Sequence, residues 1–395
     1  MRHTIQKPTS KDRFRILFEH SSDPHFIFME GGITDCNDAT IQILKLKSKE
    51  DVLKLHPAVL SPRYQPDGRL SSEKSIEMDR IALEKGFHRF EWTHQNSKGE
   101  TFPVVVTVNA VTIDGKPAMI AVWHDLTELK QKEDRLRLAN EKMKSDLQAA
   151  ATIQRSLLPT SSPLFKGLRA SWIFKPCDDL GGDMLNIFSL DENHLGFYVL
   201  DVTGHGVAAS LLSVAASQFL SPYSESSFLR KLKSRIKLSV ESPAGVAEKL
   251  NRHFTANPDF LQMFTLFYGI LNVESLELRY TCAGHPFPIL VSGGNPKVVG
   301  EVAVPIGVAY DSEYQEFSLK LKRGDRLYLY SDGIIEAKNA ARELFSQKRL
   351  MELLSQTNGD SLPRSIEKIA AETEAWCKPL LPDDDVTILA CEFQQ

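Results

Sequence analysis

Hydrophobic and polar positions divide the chain into three stretches. From about Phe14 to Leu126, apolar residues alternate with polar ones at the period of two that a half-buried strand requires. "HFIFMEGGI" reads as a hairpin turning at Gly31–Gly32, and "HRFEWTHQNSKGETFPVVVTVNAV" as two strands joined through Ser97, Lys98 and Gly99. "KPAMIAVWHDLTE" predicts a further strand, while "NDATIQILKL" and "SSEKSIEMDRIALEKG" carry helical spacing.

The second stretch, from Leu126 to Pro159, loses Gly and Pro and becomes dense in charge. A heptad fits it, with Leu129, Leu136, Met143, Ala150 and Leu157 at d and Leu126, Glu133, Asn140, Leu147 and Gln154 at a. Every d residue is apolar, but three of the five a residues are polar. This predicts a two-stranded coiled coil of low stability with Asn140 setting its register. The alternative is a solitary amphipathic helix packed on a neighbouring domain.

The third stretch, Leu158 to Gln395, mixes the two periods. "HLGFYVLDV", "FTLFYGILNV", "LELRYTCAG", "PFPILVS", "DRLYLYSDG" and "VTILACEF" read as strands. "VAASLLSVAASQFL", "AGVAEKLNRHF", "FSQKRLMELLSQ" and "LPRSIEKIAAETEAWC" read as helices, the first apolar enough to be buried. Consecutive strands with short turns predict antiparallel sheet with helices on its faces. Residues 221–243, basic around "FLRKLKSRIKLS", are expected to form a mobile surface loop, with a substrate-contacting flap as the alternative.

Composition narrows the class. With 395 residues, 42% hydrophobic and 25% charged, the chain is expected to be a soluble protein of two or three domains. Net charge is -4, from 47 basic and 51 acidic side chains, which supports neither nucleic acid nor an anionic membrane as main partner. Five scattered cysteines form no CxxC pair, so neither a zinc framework nor a disulfide framework is expected. The polar start lacks a signal-peptide core, and no apolar run reaches membrane length, so a cytoplasmic location is expected.

The chemistry lies in aspartates. Asp183 follows Gly181–Gly182, Asp201 ends the strand "FYVL", Asp332 ends "LYLYS", and Asp384, flanked by Asp383 and Asp385, precedes "VTILACEF". One Asp beside one Gly is an ordinary turn. Four carboxylates converging on a sheet rim need a counter-charge, and Mg²⁺ or Mn²⁺ suits oxygen donors.

The series "GGDMLNIF…LGFYVLDVTGHGVAASLL…MFTLFYGILN…LRYTCAGHPFPIL…LYLYSDGIIEA…DDDVTILA", preceded by "IQRSLLP", resembles the SpoIIE/RsbU-type branch of the metal-dependent serine/threonine protein phosphatases. The resemblance covers about Ala149 to Phe393. It implies a β-sandwich of two antiparallel sheets flanked by helices, with a two-metal site at one edge. It also implies that Asp201 bridges both metals, that the Val202 carbonyl helps bind one, and that Asp183 binds directly or through water. By the same resemblance, Asp332 and Asp384 are expected to hold the other metal. The run Asp383–Asp385 leaves the choice between Asp384 and Asp385 as ligand open by one residue. A water activated at the metals then attacks phosphorus in line. His205, shifted from the histidine that follows an Asp-Gly pair in eukaryotic members, has no assigned role. Arg155 is a candidate phosphate holder, and His285 reads equally as a family residue and as a turn residue.

Residues 14–126 resemble a PAS domain through "FIFMEGGITDCNDATIQIL", "HPAVLSP", "HRFEWTHQNSKGETFPVVVTVNAV" and "AVWHDLTE". That implies a five-stranded antiparallel sheet with helices on one face, and dimers. The PAS ligand is unknown; Cys36 is expected to pack structurally, and His56, His88, His94 and His124 show no haem-ligand spacing. The whole reads as an α+β chain: a tail at 1–13, a PAS domain at 14–126, a coiled-coil linker at 127–157 and a phosphatase domain at 158–395. The implied substrate is a phosphorylated anti-anti-sigma protein of the STAS type, and the chain is expected to be a homodimer through PAS domain and coil. A PAS-coupled scaffold without catalysis is the alternative. A sensor kinase lacks its nucleotide boxes here, and a diguanylate cyclase would not follow "GGD" with Met184-Leu185.

Overall fold

The computed structural model of the protein describes residues 10–29, 32–55, 57–160, 167–234, 237–256, 262–301 and 303–394. Two compact units divide the chain, Met1–Lys142 and Met143–Gln395.

The first unit runs α1 (Ser10–Glu19), β1 (His25–Met29), β2 (Gly32–Cys36), α2 (Asp38–Ile43), α3 (Lys49–Leu53), α4 (Ser71–Lys85), β3 (Phe87–Gln95), β4 (Thr101–Ile113) and β5 (Lys116–Asp125). Its strands form one antiparallel sheet in the order β2-β1-β5-β4-β3. The alternation in β4 is literal: Phe102, Val104, Val106 and Val108 are buried and their neighbours are not. These side chains meet Phe26, Cys36, Leu44, Val52 and Trp123 in one core. Asn37 caps α2 by accepting from Thr40 N–H. Its side-chain amide also donates to the carbonyl oxygens of Phe18 (3.1 Å) and Asp23 (2.8 Å). His94 is buried in this core, stacked on Trp123 at 3.5 Å, and burial pushes it down to about 3, so it is neutral. Gly31 of the expected hairpin turn lies outside the described residues, but β1 and β2 pair antiparallel on either side of it.

Helix α5 (Thr127–Ser156) is a single 30-residue helix. The second unit continues with β6 (Leu168–Lys175), β7 (Met184–Ser189), β8 (His194–Val202), α6 (Val207–Phe219), β9 (Arg230–Ser234), β10 (Lys237–Val240), α7 (Pro243–Thr255), β11 (Phe264–Asn272), β12 (Glu277–Ala283), β13 (Ile289–Ser292), β14 (Asn295–Val298), β15 (Phe317–Lys320), β16 (Arg326–Tyr330), α8 (Asp332–Ile335), α9 (Ser346–Gln356), α10 (Leu362–Cys377) and β17 (Val386–Phe393). Two five-stranded sheets form, β15-β12-β11-β8-β7 and β14-β13-β16-β17-β6, with every pairing antiparallel.

Strand β8 explains the layering. It is buried almost throughout instead of alternating. Leu195, Phe197 and Val199 pack with Leu329 and Leu389 between the sheets. Tyr198, Leu200 and Val202 face Leu212 and Ala216 of α6 and Val246 and Leu250 of α7. On the other sheet Tyr328, Tyr330 and Ile388 pack with Leu350 of α9 and Ile366 of α10. The result is helix, sheet, sheet, helix.

Two expectations need correction. Residues 221–243 are not simply a mobile loop: β9 and β10 pair as a hairpin, with residues 235–236 outside the described set. Its base is anchored by Leu229, fully buried, and by Phe228, stacked on Phe219 at 4.7 Å. The sequence reading also names no strand at β6, β7, β14 or β15, all of them edge strands. Among the described residues no helix is long and apolar enough to cross a membrane.

Candidate metal and catalytic site

Strand register brings the aspartates together. Met184 opens β7 opposite Leu200, so Asp183 lies beside Asp201 at the same end of one sheet. In the other sheet β16 stops at Tyr330, paired with Ile388, which puts Asp332 and Asp384 at the corresponding end. Ser331 pins those two segments: its N–H donates to Thr387 O, its hydroxyl donates to Asp385 O, and it accepts from Thr387 N–H, each at 3.1 Å. The approach is so close that a Cβ on Gly333 would sit 2.1 Å from Asp385 O, which no side chain tolerates. Likewise a Cβ on Gly182 would lie 2.9 Å from Gly204 O and 3.0 Å from Val202 O. Glycine is required at both positions for the backbones to meet.

Adjacent Asp384 and Asp385 do different things. Asp385 is buried, and its carboxylate accepts three backbone N–H groups, from Cys177 (2.8 Å), Gly182 (2.6 Å) and Asp183 (3.3 Å). It thereby ties the 177–183 segment to the start of β17. Asp384 is half-buried and is pushed up to about 6 by burial, with Asp332, Asp385 and Asp383 adding to it.

The electrostatics describe a cluster of mutually repelling carboxylates. Asp183 is buried, and neither carboxylate oxygen has a hydrogen-bond partner. Burial first, then Asp201 and Asp385, hold it well above the usual carboxylate range, with the nearby Thr387 and Ser331 hydroxyls pulling weakly the other way. Asp201 is pushed up to about 8 by burial and then by Asp332 and Asp384. A buried, unpartnered carboxylate among other carboxylates costs free energy that a cation would offset. The donors are all oxygen, which fits a hard divalent ion.

Gln154 is a contributor that sequence reasoning put elsewhere. The heptad gives it an a position; instead it is buried, donating from Nε2 to Gly181 O (2.7 Å) and accepting from Gly181 N–H at Oε1 (3.2 Å). The end of α5 therefore holds the glycine pair that precedes Asp183. Arg155 is exposed and lines a cleft of about 570 Å³ with Lys175, Asp178 and Asp179. His205 is exposed and bonds Asp178 (Nδ1 to Oδ2, 2.8 Å). His285 is buried, its Nδ1 2.8 Å from Thr265 Oγ1, and Thr265 is the register partner of Asp201. Its place beneath the strand, inside a turn closed by the Cys282 thiol donating to His285 O, is that of a supporting residue.

The PAS-domain family profile matches residues 23–128. Over 217 residues the chain is 27% identical to phosphoserine phosphatase RsbU of Bacillus subtilis, covering 53% of this chain and 58% of that protein. Over 199 residues it is 28% identical to phosphoserine phosphatase RsbP of the same organism, covering 49% and 46%. The chain spans about half the length of the curated relatives it matches. Among solved structures, the SiaA-PP2C domain of Pseudomonas aeruginosa aligns with a TM-score of 0.55 at 21% identity, over 65% of this chain and 99% of that one, and so shares the fold. The profile described as stage II sporulation protein E (SpoIIE) matches residues 191–394, just over half the chain, which belongs to that family.

Proposed function

We propose that the protein is a divalent-metal-dependent phosphatase acting on phosphoserine or phosphothreonine of a regulatory protein. The observation that carries this is the pairing of two sheet ends that gathers Asp183, Asp201, Asp332 and Asp384 with both oxygens of Asp183 unpartnered. Asp183, Asp201, the Val202 carbonyl, Asp332 and Asp384 would hold the metal site, with Asp201 common to both of two ions, Mg²⁺ or Mn²⁺. Divalent ions bound there would supply an acidified water and neutralise phosphoryl oxygens for in-line attack on phosphorus. Asp385 holds the 177–183 segment so that Asp183 stays aimed at the site. Gly182 and Gly333 let the two backbones close around it.

The relatives named phosphoserine phosphatase support the substrate class, and a STAS-type anti-anti-sigma phosphoprotein in a cytoplasmic partner-switching pathway is the substrate proposed. We further assign the PAS domain as the sensor and α5 as its output, paired with a second copy through Leu129, Leu136 and Met143. The test is phosphate release by the full chain from a generic phosphoester with Mn²⁺. Release should vanish in EDTA and fall by about 100-fold or more in Asp201→Asn, the scale of losing one electrostatic stabiliser of the transition state. Release that ignores EDTA, or a folded chain that binds no Mn²⁺, would overturn the assignment and leave the scaffold reading standing.

A further inference from the structure

Cys177, Asp178 and His205 stand beside the acid edge and take no part in the reaction proposed above. Their ligand atoms all lie within 4.8 Å of one another. Two loops bring them together: the segment after β6 supplies Cys177 and Asp178, and the turn after β8 supplies His205. Both loops are held. Cys177 N–H is tied to Asp385 Oδ1 at 2.8 Å. Gly204 and Gly206, with φ of +90° and +83°, fix the turn on either side of His205. The His205–Asp178 bond of 2.8 Å already orients the imidazole.

The donor set differs in kind from the acid edge. Sulfur, imidazole nitrogen and one carboxylate suit zinc or cobalt, whereas an all-oxygen set suits magnesium. Three protein ligands leave one tetrahedral position for water, and Asp178 and His205 are exposed, so an ion has a way in. Cys177 is half-buried, while Cys36, Cys282, Cys377 and Cys391 are all buried, so a thiolate signal from added metal has one source. We propose that Cys177, Asp178 and His205 form a second cation site, selective for a borderline-soft divalent ion such as zinc. The Cys177 sulfur also lies within 4.8 Å of carboxylate oxygens of Asp384 and Asp385. Occupancy therefore acts on the neighbouring catalytic edge, and zinc lowers the magnesium-supported rate.

The test is a Co²⁺ titration of the full chain in excess Mg²⁺, which occupies the all-oxygen edge. One equivalent should bind with a sulfur-to-cobalt charge-transfer band, and added Zn²⁺ should bleach it. Cys177→Ser should lose the band, and its magnesium-supported phosphate release should no longer respond to zinc. His205→Ala should weaken Co²⁺ binding at least about tenfold, the low end of what losing even an orienting partner costs a metal site. A cobalt spectrum with no sulfur band, or a band that survives Cys177→Ser, overturns the proposal. The band is read without turnover, so its outcome stands apart from whether the acid edge is a phosphatase.

Discussion

Asp384 and Asp385 show how one step along the backbone changes a carboxylate's task. Asp385 faces three backbone N–H groups, so Asp385→Asn should set an amide NH₂ against a buried donor. That should cost about 1–3 kcal/mol and lower the melting temperature. Asp384→Asn removes a charge that its neighbours repel, so the metal-free protein should melt no earlier, while Mn²⁺ affinity falls by about tenfold or more. Calorimetry of both variants with and without Mn²⁺ separates the roles; equal loss of metal affinity would show that both are ligands. The same electrostatics predict a pH dependence. Asp201 at about 8 and Asp384 at about 6 lie above the ordinary aspartate value of 3.8, so the metal-free folded state binds more protons than the unfolded one between those values. Stability in EDTA should therefore be greatest near pH 4 on this account and fall as pH rises toward 8. Saturating Mg²⁺ should flatten or reverse that slope, and an EDTA melting curve that rises from pH 5 to 8 would contradict it. The four acids were legible because each sits at a strand end in a recognisable order. The hydrogen bonding that sets Asp385 apart from Asp384 was not, because it comes from amides some 200 residues earlier in the chain.

Elements with strong local periodicity were equally readable. The buried face of β4 and the continuous burial of β8 follow directly from their residues. Strand β6 was missed because its partner is β17, at the far end of the chain, and only one of its eight residues is fully buried. The heptad was read as one uniform device, yet its ends belong to the chain's own units. Leu126 is buried, Leu157 packs against the core of the second unit, and Gln154 bonds Gly181. Gln154→Ala should leave a buried N–H and carbonyl of Gly181 unpaired and destabilise by about 1–3 kcal/mol. It should also weaken Mn²⁺ binding, because Gly181 and Gly182 carry Asp183. A Gln154→Ala protein with unchanged melting temperature and Mn²⁺ affinity would show that the contact is incidental.

At the scale of the whole molecule, the middle of α5 presents Leu129 (53% exposed), Leu136 (71%) and Met143 (58%) at seven-residue spacing. On the proposed pairing of α5 with a second copy, these residues and Asn140 would form the seam. Sedimentation should give a dimer for the intact chain and a monomer for Leu136→Asp; a wild-type monomer at micromolar concentration would refute pairing through α5. Inserting one to four residues between Glu141 and Leu147 should change phosphate release with the helical phase, and indifference to every phase would remove α5 as the output of the sensor. The bond between Gln154 and Gly181 also decides where this architecture can be taken apart. A catalytic fragment begun at Leu158 lacks a residue that closes the turn before Asp183, whereas one begun at Met143 carries it. Separating the first unit from the second, in evolution or at the bench, therefore has its usable seam upstream of Ala151, and the last turn of the helix travels with the second unit.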